Sequence, residues 1–473
     1  MNPVLTFLVC LYFGIVAASS IHAADKDAKK RRPLPAVVID PNSAVNSRPI
    51  LDPLGAVPGV AVVDRVSGYR VHDPGALAFI WFNQHGALRT EVHRTQIRPP
   101  SSDDGSEFPQ CVTDPQFSPD ARYVLFRLGT LNPGDYRMYV YDRHARRTYW
   151  VCHEDLEYFA LSWSPDGKYI AFARGYNDPK EFDFGHNDYG RLQLCVCDWH
   201  TGKVTPVVKS YSLRGPWTWS PPHTLVYSAL SSEDDAFIQK ELSKPASLYG
   251  PERTVGWTRW KSRHGQIAVL PNIYTFSPET GRSRLLFKNG RFPVVSPDGE
   301  RVAYFSTLPG NMPEPFGDWK GTTRGISLVT RNLSRLGAPV VVVSHVAGRY
   351  PDVLWEPGGK RLVRLDQYWD GPKTSLRATE WDLATRQSRP AGWIPATGDN
   401  GCRSSSDPVF NPLVFNADGS HLMIDIDNYL LRSGGGYDPV DTLTDLDLIT
   451  GKILAVARAA QGVGIDWRYK TGG

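Results

Sequence analysis

Short apolar runs bounded by turn residues recur along most of the chain. The stretch WSPDGKYIAF at 163 to 172 has near-copies in FSPDARYVLF at 117 to 126 and VVSPDGERVAYF at 294 to 305. Runs of about four to eight β-branched and aromatic residues between Gly, Pro and Asp are typical of strands. The sequence lacks the spacing of a long amphipathic helix, so the pattern predicts an all-β chain.

The Ser-Pro-Asp-Gly frame, with variations, occurs in six registers, two of which lack the serine. Most registers are followed by an Asp, a short Thr-Gly turn and another β run, as in VCDWHTGKVTPVV from 196 and LDLITGKILAV from 446. Each unit therefore reads as a four-stranded antiparallel meander, and repetition of such units at this spacing predicts a β-propeller. The registers begin at Ser118, Ser164, Ser220, Ser296, Glu356 and Asn416, which are 46 to 76 residues apart.

The frame itself is interpreted as turn geometry rather than catalysis. Pro, Asp and Gly in this order suit a tight turn between two strands, with positive φ expected at Gly167 and Gly299. No GxSxG elbow surrounds the serines, and the frame persists as EPGG from Glu356 and NADG from Asn416 without the hydroxyl.

These repeats resemble the PD40, or TolB-type, WD40-like β-propeller repeat, over residues from about 110 to 460. TolB is a periplasmic partner of the Tol–Pal envelope system and carries an α/β domain ahead of its propeller. In this chain a short Pro-rich segment stands in that place, so the resemblance is at the level of the propeller superfamily. It implies the architecture and leaves the ligand open.

The two ends of the repeat region suggest one further blade. The segment GVGIDWRYKTGG from 462 resembles a strand that leads into the repeated turn, and residues 60 to 94 offer two or three strands without a leading one. Joining them would close a ring without a free sheet edge. Seven blades closed by the N- and C-terminal strands are favoured, with six blades as the alternative.

The N-terminal residues indicate export. Residues 1 to 23 read as a signal peptide, with an apolar run from Val4 to Ala18 that is shorter than the ~20 residues of a membrane span. Residues 24 to 59 read as a basic and Pro-rich linker, and residues 60 to 473 as the propeller domain. We therefore expect a periplasmic or secreted protein without a membrane span, although association with the cell envelope stays open.

Charge and cysteine content narrow the partners. A formal charge of +4 in 473 residues gives no electrostatic case for nucleic acid. Cys195 and Cys197 alternate on a predicted strand, so they face the same way and are poorly placed for a mutual disulfide. Burial as small apolar side chains is favoured for the cysteines, and their disulfide pairing stays open. The cysteines after the signal peptide are Cys111, Cys152, Cys195, Cys197 and Cys402.

Loops after the second strand of each unit carry the candidate binding residues. All of these loops should gather on one face, where aromatic side chains beside amides and carboxylates suit a protein, peptide or glycan ligand. Packing of the loops on each other is the alternative for any one residue. The candidate ligand-binding residues at the rim and channel mouth are Arg174, Phe184, His186, Asp188, Trp319, Asp366, Trp369, Asp427 and Tyr429.

Charges near the ends of the second strands invite a second interpretation. Alignment of these strands places Arg174, Ser306, Asp366 and Asp427 near one level, with Arg127 close by. A structural Arg–Asp network between blades is favoured over a catalytic set. Arg364 and Asp425 lie deeper in their strands and would need partners.

No cofactor or metal is predicted. His186 has no second His at ligand spacing, and DIDNY lacks the later Gly and Glu of a calcium loop. A non-enzymatic scaffold is favoured. The alternative is a propeller enzyme, a polysaccharide lyase or hydrolase, with paired carboxylates at the channel mouth. Prolyl-oligopeptidase-like activity is disfavoured because no α/β-hydrolase domain follows the repeats, and the oligomeric state is unknown.

Overall fold

The computed structural model confirms an all-β architecture of four-stranded antiparallel sheets. One five-residue helical segment, 232–236, is present among the described residues. The structure describes residues 51–53, 57, 59–65, 76–82, 85, 88–94, 110–130, 137–153, 161–175, 192–210, 217–236, 271–307, 326–335, 337–344, 352–370, 373–394, 409–431, 437–460 and 465–469.

Six sheets, which we call blades, each contain four consecutive strands in the order predicted from the repeat. The first blade contains β5 (Gln110–Phe117), β6 (Tyr123–Thr130), β7 (Arg137–Asp142) and β8 (Arg147–His153). The second contains β9 (Ser162–Trp163), β10 (Tyr169–Gly175), β11 (Leu192–Asp198) and β12 (Lys203–Ser210). The third contains β13 (Thr218–Ser220), β14 (Thr224–Ala229), β15 (Asn272–Ser277) and β16 (Arg282–Phe287).

The remaining three blades follow the same order. The fourth contains β17 (Gly290–Val295), β18 (Arg301–Thr307), β19 (Ile326–Asn332) and β20 (Val340–Val343). The fifth contains β21 (Asp352–Trp355), β22 (Arg361–Asp370), β23 (Lys373–Asp382) and β24 (Gln387–Ile394). The sixth contains β25 (Val409–Phe415), β26 (His421–Leu431), β27 (Tyr437–Asp447) and β28 (Ile453–Ala460).

A seventh sheet, the closing sheet, combines both ends of the described chain. Its order is β29-β2-β3-β4, and β2 pairs with β29 from Gly59↔Tyr469 to Val63↔Ile465. The last strand of the chain is therefore the edge strand that leads into this sheet. The strands are β2 (Gly59–Arg65), β3 (Ala76–Phe82), β4 (Leu88–Arg94) and β29 (Ile465–Tyr469).

One short strand lies within the segment that the sequence assigns to the linker. β1 (Leu51–Pro53) pairs with the outer edge of β28, with Leu51 opposite Ala459. Val57 is buried in the core between the sixth blade and the closing sheet, beside Ala457 and Trp467. The chain just ahead of β2 thus contacts both sheets.

Apolar faces of neighbouring sheets form the core. Val363 and Leu365 of the fifth blade pack in one cluster with Ile424 and Ile426 of the sixth. Because every blade is covered on both faces by its neighbours, the second and third strands carry nearly continuous apolar runs such as IAFA in β10. Stacking of the sheets therefore provides the burial that a single meander could not.

Indole hydrogen bonds link the inner strands of successive blades. The Trp163 indole donates to the Gln116 carbonyl at 3.4 Å, and the Trp355 indole donates to the Val294 carbonyl at 2.8 Å. The indoles of Trp217 and Trp219 both donate to Ser162 Oγ, at 2.9 and 3.0 Å. These bonds fix how the inner strands of the second, third and fifth blades sit against the inner strand of the blade before.

Both cysteines for which side chains are described are buried. Cys195 and Cys197 lie on β11 in one apolar cluster with Trp163 and Trp199. The expectation that they face the same way and serve as small apolar side chains is confirmed for these two. Cys402 lies outside the described residues.

Candidate functional site

Two faces of the propeller follow from the strand order. The turns that join first to second strands and third to fourth strands lie on one face, which we call the turn face. The connections from second to third strands lie on the other, the loop face. The loop face is where the predicted binding residues were expected.

On the turn face, the repeated serines hold the turn together. Ser164 Oγ donates to Asp166 Oδ1 at 2.6 Å and accepts the N–H of Tyr169 at 2.9 Å. Ser118 and Ser296 make the same pair of bonds with Asp120 and Asp298. Positive φ occurs at Gly167, as expected. The interpretation of this frame as geometry is therefore confirmed.

The degenerate registers reach the same result with other side chains. Glu356 replaces both Ser and Asp, because its carboxylate accepts the N–H groups of Gly358 at 3.0 Å and Lys360 at 2.8 Å. Asn416 Oδ1 accepts the N–H of His421 at 3.0 Å. The side chains at these turns are thus engaged by the turn itself.

The Asp residues after the third strands are engaged in the same way. Asp447 Oδ1 accepts the N–H groups of Ile449 and Thr450, at 2.8 and 3.0 Å. The bond from the Thr450 hydroxyl is the largest of the interactions that lower the pKa of Asp447. Equivalent turns are built on Asp142, Asp198, Asn332 and Asp382.

Near the loop face, the residues that were predicted to share one level on the second strands do so in only some of the blades. Counted from the residue that closes the turn, Arg174, Ser306 and Asp366 each lie five positions along their strands. Asp427 lies six positions along and Arg127 four. The predicted level therefore holds for Arg174, Ser306 and Asp366 and is one position out for Asp427, while Arg127 lies close by, as expected.

Asp366 is enclosed within its own blade. It is buried, and Arg364 of the same strand contacts its Oδ2 through Nε at 2.7 Å and Nη2 at 2.6 Å. Burial raises the pKa of Asp366, although Arg364 and Arg377 oppose that effect. Arg364 also lies over the Trp381 ring, 5.0 Å from its centroid. Its partner is thus on its own strand rather than on a neighbouring blade.

Arg174 and Ser306 make local contacts. Arg174 Nε donates to Gln193 Oε1 across the strand pair at 2.8 Å, and Ser306 Oγ donates to the Asn289 carbonyl at 3.0 Å. Asp425 is buried on β26, two residues before Asp427. The partly buried Arg127 lies on β6, opposite Thr113 of β5 and Met138 of β7.

Two neighbouring hairpins are longer than the rest of the described hairpins. β22 and β23 have ten residues each and β26 and β27 have eleven each, whereas β10, β11, β18 and β19 have seven each. Because all of these second strands start from equivalent turns, the extra residues lie at the loop-face end. At about 3.3 Å per residue they extend the hairpins by roughly 10 Å or more.

These extended hairpins carry four of the predicted site residues. Trp369 pairs with Thr374, and Asp427 pairs with Asp441, as strand residues. The backbone around these four residues, which the sequence assigns to loops after the second strands, is largely paired. Asp366 and Trp369 are on the fifth blade, and Asp427 and Tyr429 are on the adjacent sixth.

The sequence pattern did not indicate Asp352. It is the first residue of β21, at the loop-face end of an inner strand, and its side chain is exposed. The density of protein around it nevertheless disfavours the charged carboxylate and raises its pKa to about 6. Its only sequence signal is an acidic residue directly before the apolar strand VLW.

The other predicted residues cannot be placed. Phe184, His186, Asp188 and Trp319 lie outside the described residues. Within the part of the chain that is described, no group of three His, Cys, Asp or Glu side chains is arranged to hold a metal ion. The described residues also contain no helix that is long and apolar enough to cross a bilayer.

Comparisons with known proteins bear on the fold. No protein-family model and no curated protein matches the sequence. TolB from Acinetobacter baumannii is similar over 87% of this chain and 82% of that one, with 12% identity and a TM-score of 0.39. An oligogalacturonate lyase in complex with manganese is similar over 85% and 86%, with 16% identity and a TM-score of 0.44.

A third similar structure is the β-propeller domain of the Trilobed protease from Pyrococcus furiosus. The similarity covers 84% of this chain and 94% of the propeller domain, with 12% identity and a TM-score of 0.43. The chain is a β-propeller. The order of its sheets shows this fold, and identities and scores this low carry no argument about a shared ligand or activity.

Proposed function

We propose that the chain is an exported β-propeller scaffold that binds a protein, peptide or glycan on its loop face without catalysing a reaction. In this proposal the seven sheets form one ring, with the closing sheet as the seventh blade. The export step rests on the apolar run of residues 4 to 18 and on the small residues that follow it.

The difference between the two faces carries the proposal. On the turn face, side chains such as Ser164, Asp166 and Asp447 are held by the turns that they form. On the loop face, the chain extends two adjacent hairpins beyond their neighbours and places Trp369 and Tyr429 on them. Rigid strands that carry aromatic residues are a suitable support for a recognition surface.

An enzyme acting on polysaccharide is the second candidate. It is favoured by Asp352, because burial raises its pKa to about 6, and by Asp366, where burial also raises the pKa. A carboxyl group that is partly protonated near neutral pH can serve as a general acid. In this candidate Asp352 would donate a proton to the leaving oxygen of a glycosidic bond.

Binding of the purified mature chain to peptide and glycan arrays tests the proposal. Loop-face variants Trp369→Ala and Tyr429→Ala should each weaken binding about tenfold, as aromatic anchors do. The turn-face variants His200→Ala and Lys203→Ala are the matched controls and should bind normally. Weakened binding by the turn-face variants, with normal binding by the loop-face variants, would contradict the proposal.

Product analysis distinguishes the enzyme candidate from the non-catalytic scaffold. Incubation with neutral and acidic polysaccharides, followed by mass spectrometry, should yield no cleavage products if the chain is a scaffold. Products that disappear in Asp352→Asn, while binding persists, would establish the second candidate.

Export is tested by N-terminal sequencing of protein from an exporting host. The mature protein should begin near Ala24, and an intact Met1 would contradict export.

A further inference from the structure

His93 is a buried titratable residue at the junction between the closing sheet and the first blade. It lies on β4, the outermost strand of the closing sheet, and is 3% exposed. Its ring packs edge-on against Phe79 of its own sheet, with centroids 4.9 Å apart, and against Tyr141 of β7, at 5.1 Å. The imidazole thus fills a position between two sheets.

Each ring nitrogen faces a different group. Nδ1 is hydrogen-bonded to the Tyr141 hydroxyl, which is itself buried. Nε2 lies 3.1 Å from Glu91 Oε1, outside hydrogen-bond geometry, and this contact becomes an ion pair only when the ring is protonated. A neutral ring with its proton on Nε2 accepts the tyrosine O–H at Nδ1. A second proton on Nδ1 would remove that acceptor and leave the hydroxyl hydrogen without it.

Charged groups approach this junction from both sheets. Glu91 comes from β4, while Arg143 and Arg146 come from the turn between β7 and β8. Arg146 Nη2 lies 3.0 Å from Glu91 Oε1, and Arg143 lies over the Phe79 ring and donates to the Ala121 carbonyl at 2.8 Å. Glu91 is therefore shared between Arg146 and the imidazole.

The balance of these effects disfavours the charged imidazole. Burial lowers the pKa of His93, Glu91 opposes this, and the two arginines lower the pKa further, with a net shift below the ordinary value. The folded junction therefore binds the proton more weakly than the unfolded chain does. The stabilisation is complete above the ordinary histidine pKa, about 6.5, and is lost as the pH falls below it.

We propose that His93 is a pH-sensitive clasp, which holds the closing sheet against the first blade when neutral and loosens that junction when it is protonated in mildly acidic solution. We call the junction between the closing sheet and the first blade the seam. The closing sheet combines both ends of the described chain. In the proposed ring, loosening the seam therefore opens the ring beside this sheet.

Two other histidines provide contrasting environments. His421 Nδ1 lies 2.9 Å from Asp445 Oδ2, and His223 Nδ1 lies 2.7 Å from Asp166 Oδ2, both on the turn face. Each has a carboxylate as its direct hydrogen-bond partner, which accepts from a protonated ring. His421→Gln therefore serves as the matched control for His93→Gln.

Hydrogen exchange measured by mass spectrometry at pH 7.5 and 5.5, corrected for intrinsic rates, tests the clasp. Peptides from β3, β4 and β7 should exchange about tenfold faster at pH 5.5, whereas peptides from β22 and β23 should not change. His93→Gln should remove this pH dependence at the seam, and His421→Gln should retain it. A seam response that is equal in wild type and His93→Gln would overturn the proposal.

Two further variants keep the test decisive if His93→Gln does not fold. Arg146→Ala removes a repelling cation and frees Glu91, so the midpoint of the seam response should move to higher pH. Glu91→Gln removes the attracting carboxylate and should move the midpoint to lower pH. A purely structural role would leave both midpoints where they are in the wild type, and that result would also overturn the clasp.

Discussion

The backbone N–H of Phe117 donates to Asp466 Oδ2 at 2.7 Å, joining residues 349 positions apart in the chain. The Phe117 carbonyl in turn accepts a bond from Arg468 Nη2 at 3.1 Å. Both polar groups of one buried residue in the first blade are thus satisfied by side chains of β29. On its other side β29 is held to the sixth blade by the Tyr469 hydroxyl, which donates to Asp445 Oδ1 at 2.6 Å.

Deletion of residues 462 to 473 should therefore unfold or aggregate the protein. It removes Ile465 and Trp467, which are 7% and 1% exposed, and frees the edge of β2. A buried Trp alone contributes about 3 kcal/mol or more, a sizeable part of the ~5–15 kcal/mol that stabilises a domain. Deleting residues 24 to 49 is the control, because it leaves β1 intact. Equal melting temperatures for the two deletions would refute closure through β29.

The pairing of β2 with β29 can also be tested without shortening the chain. A Cβ at Gly59 would lie 2.3 Å from Trp467 Cζ2 and 2.6 Å from the Arg468 carbonyl oxygen, which is backbone. Gly59→Ala should therefore force β2 and β29 apart and destabilise by about 1–3 kcal/mol in urea unfolding.

The turn face offers two substitutions of opposite sign. Gly167 has φ +70°, and its nearest neighbour to a new Cβ is Pro119 Cδ at 3.8 Å, so Gly167→Ala meets no clash and should cost about 1 kcal/mol through the backbone alone. Ala121 occupies the equivalent position of the first blade with φ 55°. Ala121→Gly relieves that strain and should stabilise by roughly 0.5 kcal/mol.

Chemical unfolding of the two variants measures both effects. At Gly299 a new Cβ would also lie 3.1 Å from Pro221 Cδ and Ser220 Oγ, so Gly299→Ala should cost more than Gly167→Ala. The same sign for Gly167→Ala and Ala121→Gly would show that positive φ is not what these positions require.

The repeats made most of the fold readable from the sequence. Each Ser-Pro-Asp-Gly register marks a chain reversal whose hydrogen bonds are local, such as Gly167 N–H to the Ser164 carbonyl. Local chemistry of this kind does not depend on distant residues. The apolar strand that follows each turn is then fixed by burial on both faces. The joining of Ile465–Tyr469 to residues from 59 onward was also expected, because a missing leading strand and an extra final strand complement each other.

The site was less predictable because strand length at the loop face depends on pairing. Beyond Leu365 and Ile426 an aspartate interrupts each apolar run, so the mixed stretches DQYWD and DNYLL read as loops. The structure instead continues both hairpins as paired strands. Asp352 was missed because an acidic residue directly before the apolar strand VLW does not show how much protein surrounds its side chain. Those surroundings are set by how the sheets are arranged.

Asp352 should make stability depend on pH in an unusual direction. Its pKa is about 6 in the folded chain against 3.8 ordinarily, so the folded state binds the proton more tightly. The contribution of Asp352 to the free energy of unfolding should rise as the pH falls from 7 towards 4, in opposition to the contribution of His93. Asp352→Asn should remove this rise, as measured by urea unfolding at several pH values. An unchanged profile in the variant would show that Asp352 is as well hydrated as an ordinary surface carboxylate.

The aspartates of the turn face should produce the opposite response at lower pH. The Thr450 hydroxyl and N–H lower the pKa of Asp447, the Ser420 hydroxyl lowers that of Asp418, and the Thr385 N–H lowers that of Asp382. Each binds a proton more weakly in the folded state. Their stabilisation is therefore present above the unfolded pKa near 3.8 and is lost as the pH falls through the lower folded values.

Stability should consequently decline steeply below about pH 4, and Asp447→Asn provides the sharpest check. The chain already uses Asn at the equivalent turn, where Asn332 Oδ1 accepts the N–H groups of Ser334 and Arg335 at 2.8 Å each. The substituted amide keeps the Oδ1 acceptor for the N–H groups of Ile449 and Thr450, loses the Oδ2 acceptor of the Thr450 hydroxyl and cannot titrate. The Asp447→Asn protein should therefore be slightly less stable than wild type at pH 7 and lose less stability between pH 4 and 3. Asp447→Ala removes the acceptor, so this variant should be destabilised both at pH 7 and between pH 4 and 3. If Asp447→Asn and Asp447→Ala behaved alike across this range, the carboxylate charge rather than the turn hydrogen bonds would stabilise the hairpin.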